Sequence, residues 1–443
     1  MKRFFISLLA LCILFAGGCS SLEPLTESQE TVTLGETEEK KTEEAFVYPT
    51  VLNPLTQEKI NAIPISKEGM TTDELRQICV DFMRLQLSFE WTPDRDHAYK
   101  IETEMHNNKP MTFKKGTLYK GCPYRAGNHN GTSGNPYTVM ELYDPETGVL
   151  SAEGLSTDQW TSLITNHCSS ACYWAWSRVI NTMFGAADDY EKAGLSNSKM
   201  VLSKGFLPVG PYTYSGVSTW TDGDGTRAVC EANGQQVMFR SYASLLPGDG
   251  VIQLYPKERS NANHVQMVAI KPEVAYLPNG SIDGENSFLT VLDQTSTLKE
   301  TKREDGETVW VEGGIDKRVS FKNMFKSSYL PFTFAEFSGK APVEPLEFHL
   351  THKNGEEITS LAQLRDAKLT ANYAISSVHT VARDAEGNTT YERYAHPSRT
   401  GSFFYDLFSA ISVAPVSREQ KGDRVEVTVQ YGNGEKAVLY QSK

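Results

Sequence analysis

Three short segments carry residues whose types and spacing can do chemistry. The first is His167-Cys168-Ser169-Ser170, where a cysteine opens a strongly apolar stretch that reads as a helix. Unpaired N–H groups and the helix dipole at such a terminus favour an anion and draw a thiol toward thiolate. The same backbone donors can help hold a tetrahedral oxyanion. The second is Asn263-His264-Val265, a histidine opening a strand after a polar loop. An imidazole facing a thiolate can serve as general base and then as general acid. It also needs a third group to fix its tautomer. Asp293, at the end of an apolar strand over 289–292, is the leading candidate. Gln294 beside it points to the opposite face of an extended strand, so only one of the two can serve. Together these residues suit nucleophilic acyl chemistry through a thioester.

Other readings compete. Cys172 is the rival nucleophile, but it lies one turn beyond the helix start on an apolar stripe, as core thiols do. Cys168 can also be read as a structural thiol or half of a disulfide. Asp222-Gly223-Asp224-Gly225 hints at calcium, yet the glycine position of an EF-hand loop is Arg227 and its last ligand position is Asn233, so a solvated turn is expected. Cys168 and Cys172 have no second closely spaced pair to complete a zinc site. There is no phosphate-cradling loop and no dinucleotide fingerprint, so no cofactor is expected.

Several elements must position these groups. Thr71 and Glu74 have capping-box spacing, and Leu75, Ile78, Cys79, Phe82 and Met83 follow at helical intervals, which places Cys79 in the core. Ser156 and Gln159 repeat the spacing and predict a short helix through Ile164. From Cys168, one stripe runs through Ala171, Ala175 and Val179 and another through Cys172, Trp176, Ile180 and Met183. A helix apolar on so many sides belongs in a core. Residues 185–240, rich in Gly and Asp, read mostly as loop. Residues 251–254, 265–270 and 288–292 read as strands. From 345 onward the pattern reads as all strand, with a hairpin signal at Gly432-Asn433-Gly434. The expected class is α+β: a helix packed on an antiparallel sheet over 69–340, then a small all-β, sandwich-like domain over 341–443.

The order Gly121-Cys122-Pro123-Tyr124, then Cys168-Ser169 at a helix start, then Pro247-Gly248-Asp249, then His264-Val265 resembles the NlpC-type cysteine peptidases. These are papain-like bacterial enzymes that cleave cell-wall peptides. The resemblance covers about residues 115–300. It implies a papain-like fold with large insertions, Cys168 as nucleophile, His264 as base and Tyr124 near the active site. The related CHAP amidases share the Cys-then-His order and place an acidic or amide residue where Asp293 stands. They also use the residue before the cysteine near the oxyanion, which here is His167. The implied bond is an amide of a peptidoglycan stem peptide. The chain departs from the family at His167-Cys168-Ser169-Ser170, where Asp-Cys-Ser-Gly is usual, and at Asn128, where a second glycine is usual.

The N-terminus sets the compartment. Lys2 and Arg3 precede an apolar run over 4–15, too short to span a bilayer, and then Ala16-Gly17-Gly18-Cys19. Small residues before a cysteine resemble the lipobox of bacterial lipoproteins, which implies cleavage after residue 18, lipidation of Cys19 and an extracytoplasmic, membrane-anchored protein. Residues 19–68, Glu-rich at first, read as a disordered acidic tether. Of the seven cysteines, Cys79, Cys122, Cys168, Cys172 and Cys230 then remain, an odd set that cannot all pair. A net charge of −12 argues against nucleic acid as a partner. The expected partners are a peptidoglycan peptide and, through Cys19, the membrane; the oligomeric state is left open. Two alternatives stand beside the hydrolase: an inactive papain-like module that binds a cell-wall or host ligand, and an acyl transferase using the same thioester.

Overall fold

The structure is a computed structural model that describes residues 55–100, 110–124, 134–181, 206–213, 226–254, 263–295, 298–311, 313–397 and 403–442. It is a mixed α+β protein. Helix α1 (Gln57–Ala62) is capped by Thr56, whose side chain accepts from Lys59 N. Helix α2 (Thr72–Ser88) starts at the Thr71/Glu74 capping box that the spacing predicts, and it buries Leu75, Ile78, Cys79, Phe82 and Met83. Helices α3 (Pro136–Met140) and α4 (Thr157–Ile164) follow, the latter opened by the Ser156/Gln159 box. Helix α5 (Cys168–Trp176) packs against α2 and is buried along its whole length. It is shorter than its apolar stripes suggest, because the backbone leaves the helix at Ser177 while Val179 and Ile180 stay in the core.

A six-stranded antiparallel sheet backs α5. Its strands are β1 (Phe206–Pro208), β2 (Gly250–Gln253), β3 (His264–Val268), β4 (Phe288–Asp293), β5 (Gly314–Ser320) and β6 (Leu330–Phe334), in the order β5-β4-β3-β2-β6-β1. Continuous runs of Val, Leu and Ile suit strands buried on both faces. Strand β3 lies against α5 and pairs with β2 so that Gln253 faces His264 and Val251 faces Gln266. On its other side, Met267 pairs with Leu292 of β4. A second six-stranded sheet, of short strands, includes Glu90–Pro93, Tyr119–Lys120 and Val149–Leu150, all from the chain that precedes Cys168.

The Pro247-Gly248-Asp249 turn joins these parts. Gly248 sits at φ +84, a left-handed backbone that suits glycine. Its carbonyl accepts the Trp176 indole N–H at 2.8 Å, which ties the end of α5 to the start of β2. Asp249 is buried and pairs with Arg76 of α2 at 2.6 Å, while its other oxygen accepts from Leu246 N. Arg76 also donates to the Pro247 and Phe337 carbonyls and to Thr333 Oγ1. A buried ion pair needs several such partners to offset its desolvation.

Three expectations are corrected. The tether was expected to run to residue 68, but residues 55–68 are part of the folded body: Leu55, Ile60 and Ile63 are buried. Arg178 donates to the Ile63 and Pro64 carbonyls, and Ser66 donates to the Arg178 carbonyl. Apolar anchors at low density, invisible to a composition argument, hold this segment. Residues 185–240 were expected to be mostly loop, but their described part holds two helices, α6 (Thr226–Asn233) and α7 (Gln235–Ala243), which bury Val229, Cys230, Met238, Phe239 and Tyr242 at helical spacing; residues 185–205 and 214–225 lie outside the described residues. Finally, the region after 345 is not all strand. Three- and four-stranded sheets share one core with helices α8 (Leu361–Arg365), α9 (Leu407–Ala410) and α10 (Val413–Glu419). Ser360, Asp406 and Ser412 cap these helices through their side chains, local signals that strand periodicity overrode. The hairpin signal does correspond to paired strands, Arg424–Tyr431 and Lys436–Gln441.

This last region has its own core, which includes Leu369, Val378, Val427 and Tyr431, distinct from the core around α2 and α5. Its contacts with the rest of the body include Ala374 and Phe403, which join the core around α2 and α5, and His396, whose Nε2 lies 3.0 Å from Glu141 Oε2 while its Nδ1 lies 3.2 Å from the Ser376 carbonyl of its own region.

Candidate functional site

Cys168 is the first residue of α5, and His167 is its N-cap. The cap is unusual. His167 Nδ1 accepts from Ser170 N at 3.3 Å, and Ser170 Oγ accepts from His167 N at 2.9 Å, a capping box built from histidine and serine. Ser169 Oγ lies 2.7 Å from the same Nδ1. A nitrogen that accepts a backbone N–H carries no proton, so the neutral ring holds its proton on Nε2.

His264 opens β3 next to this helix terminus. Its ring lies near enough to the Cys168 sulfur for the two to interact electrostatically, and its Nε2 lies 2.7 Å from Asp293 Oδ1. With Nε2 committed to Asp293, Nδ1 is the nitrogen left for the thiol. The sheet register explains the meeting. Leu292 opposes Met267, so the next residue on β4, Asp293, falls beside Gln266, two residues from His264 and on the same face. Asp293 Oδ2 is held by Lys317 Nζ of β5 at 2.7 Å. Gln294, one residue further, turns away and donates to the Cys122 carbonyl at 2.8 Å. The alternation expected of an extended chain thus separates the two candidates.

The electrostatics follow from this geometry. Burial alone would push the Cys168 thiol up, but the His264 charge and the neighbouring polar side chains of His264 and His167 outweigh it and hold the group at about 5. Burial would lower His264, yet the Asp293 carboxylate and the Cys168 thiolate raise it to about 10. Burial of Asp293 is likewise overcome by His264 and Lys317, which keep it well below the usual carboxylate range. Both directions favour the thiolate–imidazolium form of the pair. The other described cysteines behave differently. Burial pushes the Cys79, Cys122 and Cys172 thiols far up, and Cys230 to about 12. All five are free and buried, but Cys168 keeps 7% exposure against 1% or less for the rest.

The backbone of Tyr124 pairs with Asn166 in an isolated bridge, which sets the Gly-x-Pro-Tyr segment beside the residue that precedes His167. Asn166 N donates to the Pro123 carbonyl at 2.9 Å. The Asn263 carbonyl stands 3.9 Å from Cys168 Sγ. Sequence reasoning missed Lys317, the Ser169 and Ser170 support of His167, and the Arg76–Asp249 pair. His167-x-x-Ser170 did have capping spacing, but histidine is not a usual cap. Cys19, Asn128 and the Asp222–Gly225 stretch lie outside the described residues. Among the described residues no group of three or more His, Cys, Asp and Glu side chains could hold a metal ion, and no helix is long and apolar enough to cross a membrane. Comparison of the chain with protein families, with curated proteins and with solved structures found no match.

Proposed function

We propose that this chain is a papain-like cysteine hydrolase that cleaves an amide bond through a thioester acyl-enzyme. One observation carries the reading: a thiol at a helix N-terminus interacts with an imidazole whose Nε2 is held by a buried carboxylate. In the proposed cycle the Cys168 thiolate attacks the amide carbonyl. The first-turn N–H groups of α5 and the Nε2 proton of His167 face the developing oxyanion. His264 then delivers its Nδ1 proton to the leaving amine, which leaves a thioester on Cys168. A water molecule, deprotonated by His264, hydrolyses the thioester and regenerates the thiol. Asp293 holds the imidazole in the orientation both steps need.

The order of motifs from Tyr124 to His264 supports a peptidoglycan stem peptide as substrate. The segment ending at Cys19 supports a lipid-anchored, extracytoplasmic protein. The folded protein carrying Cys168→Ala tests the reaction: it should lose hydrolysis of stem peptides completely, and retained hydrolysis would refute it. The small exposure of Cys168 favours one alternative, a ligand-binding module without turnover. Hydrolysis by the unmodified protein, lost in Cys168→Ala, would exclude that alternative, and product assays with added amines would separate hydrolysis from acyl transfer.

A further inference from the structure

Given the catalytic reading of Cys168, His264 and Asp293, we propose that Lys317 is a positioning residue that holds the second oxygen of Asp293 and tempers the charge His264 feels. The carboxylate lies between two cations. Its Oδ1 meets His264 Nε2 and its Oδ2 meets Lys317 Nζ, both at 2.7 Å. Asp293 itself is only 1% exposed, whereas the Lys317 side chain is 48% exposed and reaches inward from the surface.

The surrounding backbone is arranged for that reach. Lys317 pairs with Val291, while Asp293 pairs with Gly314, and the register of β4 and β5 shifts between these two points. A bulge of this kind re-aims a side chain. A Cβ at Gly314 would lie 3.1 Å from Lys317 Cβ and 3.2 Å from its Cδ, so glycine leaves the channel along which the lysine stem runs. Asp316, immediately before Lys317, holds φ +50, uncommon for a residue with a side chain, and its carboxylate is tied to Arg84 of α2 at 2.8 Å. An ordinary surface lysine needs none of these features.

The consequence is a balance. A carboxylate with no second partner would hold the imidazolium so firmly that proton delivery to the leaving amine slows. A carboxylate shared with Lys317 orients the ring while leaving its proton available. The charged and titratable groups around the ring are Cys168 and His167 from α5, Asp293 from β4 and Lys317 from β5, with Cys172 near Asp293 and the Tyr329 ring edge-on to His264.

NMR titration of the His264 ring in the full protein tests this. In Lys317→Met the midpoint should rise by ~1 pH unit, as loss of a nearby cation predicts, and kcat should fall more than KM changes. Lys317→Arg should titrate like the unmodified protein. An unchanged or lower midpoint in Lys317→Met, or an Arg variant that behaves like the Met variant, would overturn the proposal. If neither Lys317→Met nor Lys317→Gln folds, Lys317 is structural and the proposal also falls. Iodoacetamide alkylation of the unmodified protein separates the two levels. Without a low-pH thiolate at Cys168 the catalytic reading itself fails; with one, an unmoved His264 midpoint refutes only the role of Lys317.

Discussion

His264 and Asp293 meet diagonally across β3 and β4, with Nε2 and Oδ1 2.7 Å apart, rather than as direct cross-strand partners. The diagonal leaves the imidazole free to lean toward the start of α5, where Cys168 waits. The first prediction follows from that lean. Cys168 should be alkylated by iodoacetamide with a midpoint near pH 5, far below a free thiol. The sign is fixed by the two shifts: the thiolate persists until pH falls through about 5, and the imidazolium persists until pH rises through about 10. His264→Ala removes the counter-charge and leaves burial dominant, so alkylation at pH 6 should slow by ~100-fold or more. Asp293→Ala should lower kcat/KM by ~10²–10⁴-fold while leaving Cys168 in place.

His167 can be divided into its two roles by choice of substitution. Asparagine is a good N-cap, so His167→Asn should keep the start of α5 and change stability by well under ~1 kcal/mol, whereas His167→Ala should cost about 1 kcal/mol. Both lose the Nε2 donor, so both should raise the alkylation midpoint of Cys168. Denaturant unfolding and alkylation, run side by side, check the split; a midpoint unmoved in both variants would remove His167 from the site.

The Arg76–Asp249 pair predicts a purely structural effect. Asp249→Ala leaves a buried guanidinium without its carboxylate, and loss of one member of such a pair costs about 3–5 kcal/mol. Urea unfolding should show that loss, and Arg76→Met should show a loss of similar size.

His396 predicts how the last region's attachment responds to pH. Burial would lower its pKa, but Glu141 beside it and the Ser376 carbonyl raise it. Both ring nitrogens have acceptors, which suits the imidazolium. A raised folded pKa means that the stabilisation is fully present below the unfolded value of ~6.5 and is lost as pH rises through the higher folded value. The thermal midpoint should therefore fall with alkaline pH more steeply than in Glu141→Gln. Parallel slopes for the two proteins would count against the latch.

Much of this site was readable because its signals were local. The Thr71/Glu74 and Ser156/Gln159 boxes are spacing rules within one turn, and each starts a helix. Cys168 at the head of an apolar stretch, and the alternation that parts Asp293 from Gln294, depend only on a few neighbouring residues. What stayed hidden depends on register between distant segments. Lys317 reaches Asp293 only because β4 and β5 pair with a bulge, and Arg76 finds Asp249 only because α2 crosses the turn before β2. The packing of residues 55–68 was hidden for a related reason: a few apolar anchors become visible only once Arg178 supplies their partner surface.

Helix α5 is fastened at both ends to the strand pair it serves. Its head meets His264 at the start of β3 through Cys168, and its tail meets Gly248 just before β2 through the Trp176 indole. Contacts at both ends resist tilting and sliding of the helix along the sheet. With nine residues it spans about 14 Å, so the head that carries Cys168 and the tail that carries Trp176 are placed by one rigid element. Variants that disturb the tail should therefore detune the head: Trp176→Phe, which keeps an aromatic ring but lacks the N–H, would loosen the pair from the other end of the helix.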